Sequence, residues 1–334
     1  MTTNTRNLDT RPADEPERPR GPRRDPPRPL DLEATHDVPI GSLAHRVDVS
    51  AFRDPAPPGA TIGAFLDSMP DFLGARALRD LAAQIARSHR GGHHVVAAMG
   101  GHVVKVGCGP VVIDLLDRGI LTALAVNGAF AIHDYEIALQ GTTSEDVDRG
   151  IHDGSFGWSR EPALAFARAC TRGRQDGIGL GRAMAMEARD LPNASRSVLA
   201  ACAQLGVPIT VHVGIGTDTV HMHPAVSGAD LGEASHLDFR IAATIASELD
   251  GGVWLNVGSA VVLPEVFLKL VSIARNLGRA LNDVVAANLD MERHYRTSAN
   301  VIGRPVARGI EIIGHHEINL PLLRLAVLEE LAGA

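Results

Sequence analysis

Six short apolar runs decide what this chain can become: HHVVAAMGGHVVKVG, ILTALAVNG, GVPITVHVG, GGVWLNVG, DVVAANLD and GIEIIG. They are rich in β-branched residues, and none alternates strictly between apolar and polar. A strand with one wet face alternates, whereas a strand covered on both faces reads as a continuous apolar run. Helix-period stretches separate the runs. A long one starts at Thr61 and stops at a Gly-Gly pair. CGPVVIDLLDRG opens a helix at Pro110 and closes it at Gly119, and AIHDYEIALQG starts another. Helices also fit 161–174, 195–205, 236–248, 264–277 and 317–332, with strands at 208–213 and 253–257. Strand, helix, strand, helix, with glycine at the crossings, predicts an α/β fold. The sheet should be Rossmann-like, doubly wound and mostly parallel, with helices on both faces.

Residues 1–37 are rich in Pro, Arg and acids and poor in core-forming side chains. Such a stretch buries too little apolar area to offset its chain entropy, so a disordered tail is expected. Residues 38–334 are expected to form one domain, with a polar insertion around 141–194. The net charge of −7 supplies no global basic field for nucleic acid. No run reaches the ~18 apolar residues of a membrane span. The N-terminal stretch has no apolar signal core, and Cys108, Cys170 and Cys202 lack paired spacing, so a cytoplasmic protein with reduced thiols is expected. Among the 32 Lys and Arg residues, only Lys105 and Lys269 are lysines. Lysine, unlike arginine, can give up its proton at useful pH.

In open parallel sheets, ligands bind past the carboxyl ends of the strands. Those ends read KVGCGP, VNGAFAIHDYE, VGIGTDTVHMHP, NVGSAVVLPE, ANLDMERHYR and GHHEIN, all polar or glycine-rich. Gly107, Gly109, Gly128 and Gly258 would let backbone approach a ligand, and a helix starting at Pro110 would aim its positive end there. A G-x-G-x-x-G fingerprint is absent from the first βα turn.

The stretch VHVGIGTDTVHMHP crowds His212, Asp218, His221 and His223 beside a strand end. The H-x-H spacing of His221 and His223, with His212, would serve a metal. The same histidines would serve as acid, base or polar clamp, because imidazole titrates near neutral pH. His133 with Glu136, and Glu265, His294, Arg296 and His315 on later strand ends, are further substrate-facing candidates. Lys269, with an apolar surround in LPEVFLKLVSIARNL, is a candidate acid/base amine.

Three stretches together resemble the deoxyhypusine synthase superfamily, most closely its bacterial deoxyhypusine synthase-like branch. They are HVVKVGCGPVVIDLLDRGILTALAVNGAFAIHD, GVPITVHVGIGTDTVHMHP and VWLNVGSAVVLPEVFLKL, and the likeness spans roughly residues 60–332. The resemblance implies NAD as cofactor and a homo-oligomer, a tetramer with sites between paired subunits. Deoxyhypusine synthase itself oxidises spermidine and passes an aminobutyl group to a protein lysine. By this resemblance, NAD would lie against Gly107, Cys108 and Gly109, then Asn127, Gly128 and Ala129, then Asp218, Gly258, Asn288 and Asp290. His223 and Lys269 fall near the family's polyamine contacts.

The chain also departs from the pattern. The family's catalytic lysine sits in a Trp-Gly-Lys stretch before the last strand, where this chain has SANVIGRPVARGIEI. Its triple-glycine turn is replaced by Leu263-Pro264-Glu265. The set His221, His223, His294 and Arg296 would suit an anionic or neutral substrate better than a polyamine. The expectation is therefore an NAD enzyme that moves hydride on a small polar molecule, with His133, His223 or Lys269 as acid/base, and without true deoxyhypusine synthesis. A metal-dependent hydrolase or lyase built on His212, His221 and His223 is an alternative. A non-catalytic nucleotide-binding module is another. No nucleic-acid or membrane partner is expected.

Overall fold

The computed structural model describes residues 25–333. The expected tail therefore lies outside the described residues at 1–24. The chain divides into two units, one ending at Asp48 and one starting at Val49. In the first, every described residue is exposed, and the regular structure among the described residues is two 3-10 turns at Leu32–Ala34 and Ile40–Ser42. Asp31 caps the first turn by accepting from the Glu33 amide at 3.0 Å.

Among the described residues, the second unit holds thirteen α-helices and six strands. In chain order they are α1 (Ile62–Ser68), α2 (Leu73–Arg90), β1 (Val95–Met99), α3 (His102–Lys105), α4 (Gly109–Asp117), β2 (Ala123–Asn127), α5 (Gly128–Gln140), α6 (Val147–Asp153), α7 (Arg160–Gln175), α8 (Gly179–Ala188) and α9 (Val198–Leu205). Then follow β3 (Ile209–His212), α10 (Gly228–Ser247), β4 (Val253–Val257), α11 (Val262–Asn276), β5 (Val285–Asp290), α12 (Tyr295–Asn300), β6 (Arg308–Ile313) and α13 (His316–Ala332). The strands form one sheet in the order β3-β2-β1-β4-β5-β6, with every pair parallel. That is the Rossmann order, with its switch point between β1 and β4.

Side-chain alternation sends the strands into two cores. On one face Met99, Val126, Val211, Leu255, Leu289 and Ile312 pack under α2, α4, α5, α8, α9 and α13. On the other, Ala98, Ala125 and Ala286 leave room for Trp254, which stacks on Phe267 of α11 with centroids 4.4 Å apart. Small residues beside large ones let that layer pack closely.

Three expectations are corrected. The helical pattern from Thr61 splits into α1 and α2 at Met69-Pro70, because a residue before proline is pushed out of the α region. β1 ends at Met99 rather than running to Gly107, and Val103 and Val104 fold into α3 and are buried. The cause is a close crossing: a Cβ on Gly100 would stand 2.0 Å from the Gly258 carbonyl oxygen. Two glycines end the strand, and burial then overrides the β propensity of the valines. The stretch 141–194, expected as a polar insertion, contributes Phe166, Leu180 and Met184 to the larger core.

β3 is one edge of the sheet, and its outer side is closed by side chains of α10. The Val211 amide donates to Asp238 Oδ2 at 2.7 Å, and Ser235 Oγ donates to the Val211 carbonyl at 3.0 Å. Asp238 Oδ2 also accepts from the Gly181 amide at 2.7 Å, which fastens α8 to the same edge. No helix among the described residues is long and apolar enough to cross a membrane.

Candidate functional site

The glycine turn at the switch point is Gly100-Gly101, directly after β1, facing Gly258 at the end of β4. A Cβ on Gly101 would stand 3.1 Å from the Ala129 carbonyl carbon and from His133 Cδ2, so this turn joins β1 to the first turns of α5. Gly107, Cys108 and Gly109 lie one helix further on. Gly107 is left-handed at φ +78° with open space around it, and Gly109 opens α4. Cys108 is buried, and burial pushes its thiol up to about 11.

Asn127 ends β2 and caps α5, its side chain accepting from the Phe130 amide at 2.9 Å. Gly128 follows, and a larger residue would have to displace Asp218: a Cβ there would be 2.1 Å from Asp218 Oδ2. Asp218 thus lies across the amino end of α5, where it draws on the Ala129 amide. Burial raises its carboxyl above the ordinary value more than the His221 charge and that amide lower it.

Beside Asp218 opens a cavity of about 190 Å³ lined by Lys105, Ala129, His133, Glu136, Glu145, Phe156, Thr217 and Asp218. Three carboxylates face one ammonium and one imidazole there. His133 and Glu136 share a face of α5 at i and i+3. His133 Nδ1 lies 2.8 Å from Thr143 Oγ1 and 3.3 Å from Glu136 Oε2, and the Thr143 hydroxyl donates to the same carboxylate oxygen. Burial pushes the Glu136 carboxyl upward, but the bonds from His133 and Thr143 outweigh it and hold the group below its ordinary value.

The remaining candidates disperse. His212 is buried beside Thr210 Oγ1 at 3.0 Å, and burial pushes its imidazole down to about 4. His221 accepts from the Gly216 amide at Nδ1, sets its ring edgewise on Phe166, and brings Nε2 to 3.8 Å from Asp218 Oδ2. His223 Nδ1 accepts from the Ala225 amide, 3.2 Å away, within its own loop. The alternative metal set is therefore not assembled: no three His, Cys, Asp or Glu residues converge as ligands among the described residues. Lys269 is exposed and pairs with Glu265, which also meets Arg296 at 3.4 Å, so the amine is not in an apolar cleft. His294 and His315 stand at the amino ends of α12 and α13 without capping bonds.

At the other strand ends, three buried side chains carry polar atoms without a hydrogen bond. Asn256 donates to Asn288 Oδ1 at 2.8 Å, which leaves Asn256 Oδ1 and Asn288 Nδ2 unbonded. His316 has neither ring nitrogen bonded; its ring lies against Gly258 and packs edgewise on His102 at 5.8 Å. Asp290 Oδ1 accepts from its neighbour's amide, Met291 N, at 2.8 Å. Sequence reading overlooked Gly100, Gly101, Asn256, Thr143 and Glu145. Only the glycine pair carried a signal, as the first break in the run VVAAM.

No protein-family model matches the sequence, and no curated protein matches it. Solved structures match in fold. A cysteine-to-alanine mutant of AgrE in binary complex with L-arginine aligns with TM-score 0.50 and 16% identity, covering 77% of this chain and 32% of that one. The ternary complex of AgrE with ornithine and NAD+ aligns with TM-score 0.49 and 16% identity over 78% of this chain and 34% of that one. A protein from Entamoeba histolytica with a provisional deoxyhypusine synthase assignment aligns with TM-score 0.44 and 9% identity over 85% and 96%. The chain spans about a third of the AgrE chains it matches. At these identities the likeness is one of α/β fold.

Proposed function

We propose that this chain is an NAD-dependent enzyme acting on a small molecule that carries an amine. The observation that carries the reading is the acid-lined cavity of about 190 Å³, two of whose lining residues, Ala129 and His133, pack against Gly101 of the switch-point turn. A dinucleotide suits that place: glycines bring backbone close, and Asn256, Asn288 and His316 hold buried polar atoms that a ligand's polar groups would satisfy. Bound NAD would supply the hydride acceptor. The chain's own residues would do the rest. Glu145 and Asp218 attract an ammonium, Lys105 at the exposed rim meets an acidic substituent, and His133 Nε2 takes a proton from the amine. Phe156 and the turn at Thr217 restrict water. The acids in the cavity favour a cationic group over the anionic or neutral substrate that the dispersed histidines and arginine had suggested.

The rims of the strand ends carry exposed Ile215, Met222, Val261, Tyr295, Ile313 and Ile318. That apolar rim supports assembly of identical chains over the site, which sedimentation would test. The cofactor reading is tested by melting. NAD should raise the melting temperature by mass action. Reduction of NAD at 340 nm against a panel of primary amines and amino acids then tests the substrate class. No shift with NAD or NADP, and no nucleotide released on denaturation, would sink the cofactor reading.

A further inference from the structure

We infer that Thr143 is a positioning residue that fixes His133 as its Nδ1–H tautomer, so that Nε2 presents a bare lone pair to the cavity. The inference rests on the reading of His133 as the proton acceptor of the site, and its test is independent of NAD.

The local backbone is built to deliver this hydroxyl. α5 is closed after Gln140 by Gly141, which is left-handed at φ +79°, with its amide bonded to the Ile137 carbonyl. The chain turns back along α5, and Ser144 holds φ +67°, a conformation that non-glycine residues rarely adopt. Strain of that kind persists where surrounding contacts over-determine it. Here the contact is Glu136, whose carboxylate draws on the Ser144 amide and receives the Thr143 hydroxyl. The turn therefore aims two successive donors at one carboxylate.

An ionised Glu136 only accepts, so the hydrogen in the Thr143–Glu136 bond belongs to Thr143. With its hydrogen committed, Thr143 Oγ1 offers a lone pair to His133 Nδ1, 2.8 Å away. The other atom near Nδ1 is Glu136 Oε2, at 3.3 Å, which is again an acceptor. A bare Nδ1 would face two lone pairs, so Nδ1 carries the hydrogen and Nε2 is the free base. No hydrogen bond ties Nε2 among the described residues, and His133 lines the cavity. Glu136 thus acts on the imidazole through a hydroxyl bridge as well as directly.

The experiment is nitrogen NMR of the full chain labelled at histidine, without added nucleotide, with the His133 signals identified by their loss in His133→Gln. The Nδ1–H form should dominate in the unmodified protein. Thr143→Val should move the population toward Nε2–H, and Thr143→Ser should restore it. Thr143→Ala removes the same hydroxyl without adding bulk and should behave as Thr143→Val does. A majority of Nε2–H in the unmodified protein, or unchanged spectra in both hydroxyl-deleted variants, overturns the inference. Failure of NAD to bind leaves this readout intact, so the two readings fall separately.

Discussion

Replacing Asp238 separates what its hydrogen bonds contribute from what its charge costs. Burial pushes this carboxyl up to about 7, well beyond what the amides of Val211, Gly181 and Leu180 pull back. Asp238→Ala leaves the Gly181 and Val211 amides facing an empty position. Each unsatisfied buried amide costs about 1–3 kcal/mol, so the pair removes roughly 2–6 kcal/mol. That is a large share of an ordinary domain's ~5–15 kcal/mol. Asp238→Asn keeps an oxygen for both amides but cannot ionise. The folded-state value lies above the unfolded value of 3.8, so the folded protein holds this proton more tightly. The resulting stability is fully present below about pH 4 and is lost as pH rises toward 7. At ~1.4 kcal/mol per unit, the loss approaches roughly 4 kcal/mol. Urea unfolding of the parent and Asp238→Asn at pH 5 and pH 8 should therefore show the asparagine variant gaining about 2–4 kcal/mol relative to the parent. Asp134, His212 and other titrating groups are common to both proteins and cancel. Parallel stabilities at the two pH values, or an Asp238→Ala change below about 1 kcal/mol, would refute the reasoning.

Phe267→Ala should cost about 3–5 kcal/mol in urea unfolding, because it removes the ring stacked on Trp254 from a filled layer; a change under 1 kcal/mol would mean that the layer collapses around the gap. His212 is held neutral by burial, with a value near 4, so its contribution is present above the free value of 6.5 and is lost as pH falls toward 4. Its ring resonances should not titrate between pH 7 and pH 5, and a midpoint near 6.5 would contradict that burial. Gly128→Ala places a Cβ 2.1 Å from Asp218 Oδ2 and should loosen residues 213–223, read as faster amide hydrogen exchange there. Unchanged exchange would show that Asp218 is free to move aside.

The sheet was legible because parallel strands buried on both faces leave unbroken apolar runs, as in VVAAM and ALAVN. The end of β1 was not, since VVK repeats the composition of the strand before it. Only the approach of Gly258, 158 positions further along the chain, shows why Gly100 must stop the ladder. His133 and Glu136 were legible as a pair because helix geometry alone puts i and i+3 together. Thr143 was not, because its place depends on a left-handed turn at Ser144 that no residue preference announces. The histidines of VHVGIGTDTVHMHP shared a neighbourhood in sequence but not a direction. Where a side chain points in an irregular loop is set by bonds such as Gly216 to His221, which spacing does not encode.

The closed side of β3 bears on how this protein would aggregate. A new strand, whether from another molecule or from a misfolded segment, needs free amides and carbonyls at a sheet margin. At β3 the outward groups of Val211 are already taken by Asp238 and Ser235. A protonated Asp238 still offers an acceptor oxygen, so acid does not reopen that margin. Fibril growth by strand addition is left the opposite margin, β6, where Arg308, Gly309 and Ile313 are exposed. Substitutions meant to keep this protein from polymerising belong there.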